Sequence, residues 1–181
     1  MKIWHLDCDV DNFENLILKD KEDLELLKSF DGRNLKEGWV PAKVDRMYNR
    51  EFSDSPGFAS HVPVFGKKAI DLLYDLIKDN VEILPLDYTE EFYAINVTSV
   101  LDCIDYDKAI FKTFRDGKRV MRFTEYAFDP EKICEKNIFK ICEEPLKRPF
   151  VSDEFRNKIL NSQLSGFKFE LVWETSYEKS S

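Results

Sequence analysis

The sequence predicts an α+β fold, a mostly antiparallel β-sheet with two or three packed helices. Three observations predict it. Segments with alternating or β-branched apolar pattern outnumber segments with helical period. An Asp116-Gly117 dipeptide sits between two such segments, a strong short-range hairpin signal. No regular strand–helix–strand alternation runs along the chain, which argues against a doubly wound parallel sheet. The 181 residues predict one domain over 1–181, with 1–50 its less defined part, and a core that closes without disulfide or metal.

The elements follow in order. In the opening strand Trp4, Leu6, Cys8 and Val10 fall on one face, and His5, Asp7, Asp9 and Asp11 on the other, which reads as a solvated acidic face. Lys21–Phe30 reads as a short helix with Asp20 as its N-cap and Asp31-Gly32 as its end. Residues 33–60 are mostly loop, with a strand over Lys43–Asn49. Val62–Phe65 enters the best helix, Lys67–Asp79, whose stripe is Ala69, Ile70, Leu73, Leu76 and Ile77. Val81–Leu86 is a strand that Pro85 makes an edge or ends. Phe92–Ile104 reads as one long central strand. Ala109–Arg115 and Lys118–Ala127 form a hairpin on a type I′ turn that puts Ile110, Phe114, Met121 and Phe123 on one face. Asn137–Cys142 is a strand. Ser152 caps a helix from Asp153 to Ser162, Gly166 breaks it, and Phe167, Phe169, Leu171 and Trp173 alternate along a last strand before a polar tail at 174–181.

With 35 acidic and 27 basic residues the net charge is −8, which disfavours nucleic acid and anionic membrane as partners and favours a cationic one. Cys8, Cys103, Cys134 and Cys142 form no C-x-x-C pair, the first eleven residues lack the apolar stretch of a signal peptide, and no apolar run spans a bilayer. The expectation is a cytoplasmic protein with reduced thiols and no cofactor or metal.

Several clusters invite a chemical reading. His5-x-Asp7-x-Asp9-x-Asp11 has metal-ligand residue types, but same-face neighbours stand about 6.5–7 Å apart along a strand, so a solvated face is favoured. Asp87, Glu90, Glu91, Asp102, Asp105 and Asp107 form an acidic set; paired carboxylates there could serve a small enzyme, yet an acidic rim for a partner fits better. The 108–122 hairpin is basic, with Lys108, Lys112, Arg115, Lys118, Arg119 and Arg122. It reads as a charged edge that resists strand pairing, with an anion-binding regulatory module as the alternative; its charge is also placed to meet acidic strand faces within the fold. Neither histidine lies in a nucleophile or metal motif, and no P-loop or serine-hydrolase motif occurs.

A series of short strings then recurs in order: Phe52-Ser53-Asp54, Val64-Phe65-Gly66-Lys67-Lys68-Ala69, Glu82-Ile83-Leu84-Pro85-Leu86, Tyr93-Ala94-Ile95-Asn96-Val97, Leu101-Asp102-Cys103-Ile104-Asp105, Ile138-Phe139-Lys140-Ile141, Phe150-Val151-Ser152-Asp153-Glu154-Phe155 and Leu164-Ser165-Gly166-Phe167-Lys168-Phe169. From about Phe52 to Trp173 the chain resembles a bacterial family, once a domain of unknown function, of immunity proteins from polymorphic toxin systems. The resemblance implies a non-enzymatic inhibitor that binds a cognate toxin, and it carries over no catalytic residue. The aromatics interleaved with the acids select Asp87, Tyr88, Glu90, Glu91, Phe92, Tyr93, Asp105, Tyr106 and Asp107 as the expected partner-binding surface.

Overall fold

The computed structural model describes residues 1–20 and 24–175. The chain is mostly strand with three helical segments, broadly an α+β arrangement. Two sheets organise it. Five strands are ordered β12-β1-β11-β10-β7, with β1 at Lys2–Cys8, β7 at Val100–Leu101, β10 at Ile138–Ile141, β11 at Phe150–Ser152 and β12 at Phe167–Glu174. The pairs are antiparallel except β10 with β7. A second, antiparallel sheet is ordered β4-β6-β5, from Val64–Gly66, Phe92–Val97 and Val81–Pro85. The short strands β2 (Leu16–Leu18) and β3 (Val44–Arg46) pair with each other, as do β8 (Ile110–Thr113) and β9 (Val120–Glu125). The helices are α1 (Leu24–Leu27), α2 (Lys67–Ile77) and α3 (Asp153–Leu160).

Side-chain alternation turns the two sheets into three packed layers. Leu6, Ile138 and Val151 of the large sheet meet Ile95 and Val97 of the small one, with Ala69, Leu73 and Ile77 of α2 and Phe155 and Ile159 of α3 filling the same layer. The opposite face of the small sheet, through Phe92, Ala94 and Leu84, packs on Leu16, Phe30, Val44 and Val62. The opposite face of the large sheet, through Ile3, Phe139, Ile141 and Phe150, packs on Cys103, Phe123 and Phe128. Helix α2 buries the apolar stripe expected of it, with Leu76 at its margin. Ser152 caps α3 as expected, its hydroxyl accepting from Phe155 N at 3.1 Å, and Asp153 at that positively polarised end accepts from Trp4 Nε1 at 2.8 Å, fastening α3 to β1. Pro85 ends β5, which is an edge strand.

Five expectations are corrected. First, β1 is central and stops at Cys8, and its His5 face is not solvated: His5 is buried, stacked on Phe150 with ring centroids 4.4 Å apart. Second, Phe92–Ile104 is not one strand. Thr98 and Ser99 both donate to Asn80 O, so β6 ends and β7 continues in the other sheet. Third, the Asp116-Gly117 hairpin forms, but only Gly117 has positive φ (66°), so the turn is not type I′. Gly117 N closes it onto Phe114 O. Two irregularities pair Phe111 with Phe123 rather than Ile110 with Phe123, so Phe123 turns inward while Ile110, Phe114 and Met121 stay exposed. Fourth, a bulge opposite Ile3/Trp4 moves Trp173 off the Phe167–Phe169 face and against Phe128. Fifth, the helix expected over Lys21–Phe30 is described only as Leu24–Leu27; residues 21–23 lie outside the described residues, as does the tail from 176.

Candidate functional site

The expected surface divides in two. Asp87–Glu91 form the turn between β5 and β6, closed by Leu86 N to Phe92 O at 3.0 Å and Phe92 N to Glu90 O at 3.0 Å. The turn is stitched to β3, with Asp87 N donating to Ala42 O at 2.9 Å and Val44 N to Asp87 O at 3.3 Å. Asp87, Glu90 and Glu91 therefore project into solvent from a backbone held on both sides. Phe92 is buried and serves as the root of an aromatic stack: Phe52 lies 5.1 Å and Tyr88 6.3 Å from its ring centroid. Tyr93, half-buried on the other face of β6, donates to Glu91 at 3.4 Å. Burial and then Glu91 raise its phenol pKa.

Asp87 and Tyr88 line one side of a concavity of about 540 Å³ with Lys19, Asp20, Lys43 and Asp45. An adjoining one, also about 540 Å³, shares Asp20 and Lys43 and carries Trp39 and the exposed Val40. Behind this face a fully buried Glu14 organises the 46–50 segment. Its carboxylate accepts from Tyr48 N (2.6 Å), Arg50 N (3.0 Å), Asn15 N (3.0 Å) and Arg46 Nε (3.1 Å). Burial alone would push this carboxyl up; the donors outweigh it and hold it down to about 2. Arg46 in turn lies 5.1 Å over the Phe52 ring, so Glu14 supports the platform on which Tyr88 rests.

Asp105, Tyr106 and Asp107 sit elsewhere, at the margin of the layer on the far face of the large sheet. Tyr106 packs edge-on against Phe111 at 5.4 Å and donates to Glu143. Asp105 pairs with Lys108 at 2.9 Å, and that hydrogen bond lowers its pKa. These residues line a concavity of about 450 Å³ with Asp129 and Pro130. Tyr88 belongs to one outer layer and Phe111, under Tyr106, to the other, with both sheets between them. Among the described residues no hydrogen bond, ion pair or ring contact joins the two groups. Sequence reading missed Asp20, Lys43, Asp45 and Phe52 as neighbours of Asp87 and Tyr88, because all come from the N-terminal loop-rich third and meet the turn only through tertiary contact.

The candidate metal cluster of the opening strand is engaged internally. Arg148 bridges Asp7 (2.8 Å) and Glu170 (2.9 Å), and Lys168 bridges Asp9 (2.9 Å) and Asp11 (3.4 Å). Burial, then the Arg148 charge, lowers His5 to about 4, so it is neutral at pH 7. Burial raises the Cys8 thiol to about 11 and Cys103 to about 12, which keeps both protonated and poorly nucleophilic. Among the described residues no three His, Cys, Asp or Glu side chains are grouped to hold a metal ion, and no helix is long and apolar enough to cross a membrane. The arrangement sets charged rims and aromatic side chains at two margins, one on each outer layer.

Residues 87–174 match the model of an immunity protein family, Imm11. The match begins at the Asp87 turn, so it takes in β6 to β12 and α3, both acidic groups and the basic hairpin. It leaves β4, α2 and β5 outside, although the ordered strings in the sequence extend back to Phe52. No curated protein matches the chain.

Proposed function

We propose that this protein is an immunity protein that binds a toxin made by the same cell and silences it by occupying its surface, without turning over a substrate. The observation that carries this reading is the Imm11 match over residues 87–174. In this proposal the toxin contacts the face built by Asp87, Tyr88, Glu90, Glu91 and Tyr93, in the cytoplasm. A net charge of −8 suits a toxin with a cationic cleft, such as a nuclease, because opposite charge steers the encounter and raises the association rate. Charge alone does not give tight inhibition; nanomolar affinity needs about 12 kcal/mol. Tyr88 and Tyr93 supply ring area that is already ordered by packing on Phe92 and by the Glu91 contact, so little entropy is lost when they are covered.

The test is co-expression with the toxin encoded beside this gene, followed by titration of the purified pair. The expected result is rescue of growth and a stable complex. Asp87→Lys/Glu90→Lys is expected to slow association and weaken its salt dependence, and Tyr88→Ala to speed dissociation. Absence of both rescue and complex overturns the immunity reading. A complex indifferent to all three substitutions overturns the choice of face.

A further inference from the structure

The β8–β9 hairpin presents a basic surface on an acidic molecule. Residues 108–122 hold six cations against one carboxylate, a net +5 in a chain of −8, which leaves −13 elsewhere. Four of these cations, Lys112, Arg115, Lys118 and Arg122, make no ion pair among the described residues, although the sequence placed them to meet acidic faces within the fold. Apolar side chains stand exposed among them: Ile110 (51%), Phe114 (43%) and Met121 (48%). The hairpin is nevertheless firmly built. Phe111 and Phe123 root it, with ring centroids 5.8 Å apart, and Asp116 orders its tip by accepting from Lys118 N and Arg119 N. At its foot lies a concavity of about 450 Å³ lined by Asp105, Tyr106, Asp107, Lys108 and Asp129, net acidic with Lys108 paired to Asp105.

Knob and socket thus occupy the same end of the molecule with opposite charge; within one chain they touch only at the foot, where Lys108 pairs with Asp105 and Phe111 packs on Tyr106, while Lys112, Arg115, Lys118 and Arg122 make no ion pair with the socket among the described residues. Length explains it: from Ile110 to Phe114 the strand advances about 13 Å, which holds the tip away from its own foot. Two hairpins laid antiparallel about a two-fold axis would set each tip over the other's foot, so that every contact is made twice. We propose that the β8–β9 hairpin docks into the acidic concavity of a second copy of this chain, forming a two-fold dimer.

Charge complementarity favours this occupant over a nucleic acid. A polyanion larger than the hairpin would run onto a surface of net −13, and the exposed aliphatic side chains offer nothing to phosphate. Phe114, whose ring lies 5.1 Å under the Arg119 guanidinium, is already covered on one face, as an anchor for a protein pocket would be. The proposal is independent of the toxin reading, since the Asp87–Glu91 turn, with Tyr88 in the outer layer of the small sheet, lies across both sheets from the hairpin and remains open in such a dimer.

The test is sedimentation velocity on the full chain at about 50 mM and about 500 mM salt, the second of which collapses the range of exposed charges. The expected mass is twice the 21.4 kDa of the chain at low salt, falling toward the monomer at high salt. Lys112→Glu/Arg115→Glu and, separately, Asp107→Lys are expected to be monomeric at low salt with unchanged circular dichroism. Mixed together, the two variants should recover a dimer, because each reversed knob then faces a reversed socket. Met121→Ser should weaken the dimer severalfold without changing its salt response. A monomer at low salt, a dimer untouched by both charge variants, or a mixture that fails to recover overturns the proposal. So does a labelled oligothymidylate that binds the hairpin more tightly than the chain binds itself.

Discussion

Glu14→Gln removes one charge and, more importantly, replaces an acceptor-only carboxylate with an amide that carries two donors. In the folded protein both carboxylate oxygens receive N–H groups: Oε1 from Asn15 and Tyr48, Oε2 from Arg50 and Arg46. The glutamine NH2 must point at one of these pairs, leaving at least two N–H groups facing a donor. At about 1–3 kcal/mol for each buried group left unsatisfied, a loss of roughly 2–6 kcal/mol follows, toward the lower end because Arg46 reaches solvent. The carboxyl pKa gives an independent figure. A fall from 4.5 to about 2 corresponds to at most about 3 kcal/mol, discounted somewhat because Arg46 reaches solvent. The two routes agree. Because the folded pKa is depressed, this stabilisation is fully present above pH 4.5 and is lost as the pH falls toward 2. Urea unfolding at pH 7 should move its midpoint down by about 1–2 M in the variant. Between pH 4.5 and 2 the wild type should lose stability more steeply than the variant. Limited proteolysis should open at residues 46–50, the segment that Glu14 holds. A midpoint within about 0.2 M of wild type, with an unchanged acid limb, would refute the claim that this carboxylate organises the segment.

Lys140→Met should stabilise the protein at pH 7 or leave it nearly unchanged. The buried ammonium has Phe30 O as its acceptor at 2.7 Å, and burial lowers its pKa to about 8. Wild-type stability should therefore rise between about pH 8 and 10.5, where the unfolded chain alone holds the proton, and this rise should vanish in the variant when unfolding is followed by denaturant titration at each pH. Phe150→Ala should cost about 3–5 kcal/mol by calorimetry, because His5, Tyr126, Phe128 and Phe139 all pack on that ring. Ser152→Ala should cost about 1–2 kcal/mol in the same assay, since the hydroxyl both caps Phe155 N and donates to Asn137 Oδ1.

Elements whose pattern is local were readable in the sequence. Helix α2 announces itself by an apolar stripe, α3 by its cap and first-turn acids, and the end of β5 by a proline. Errors arose where a local pattern served a different tertiary role. His5 looks like the wet side of a half-buried strand, but β1 is flanked on both edges and covered on both faces, so its period-2 pattern does not report solvent. The run from Phe92 to Ile104 is apolar throughout, and only the pairing of Thr98 and Ser99 with Asn80 O shows where it changes sheets. The hairpin's faces differ from those expected because two register irregularities are invisible to a count outward from the turn.

Sequence by itself determined the α+β composition, the acidic balance, the caps and stripes, and the short strings that resemble an immunity family, because each depends on residues near one another in the chain. Only the tertiary structure decided that the nine expected partner-binding residues separate onto opposite margins, since two sheets come between Tyr88 and Tyr106. It alone set Asp20, Lys43 and Phe52 beside the Asp87 turn, buried Glu14 beneath them, and left the cations of the hairpin facing outward. The physical reason is the same in each case: surfaces are assembled from residues distant in sequence, and composition fixes their charge while packing fixes their neighbours.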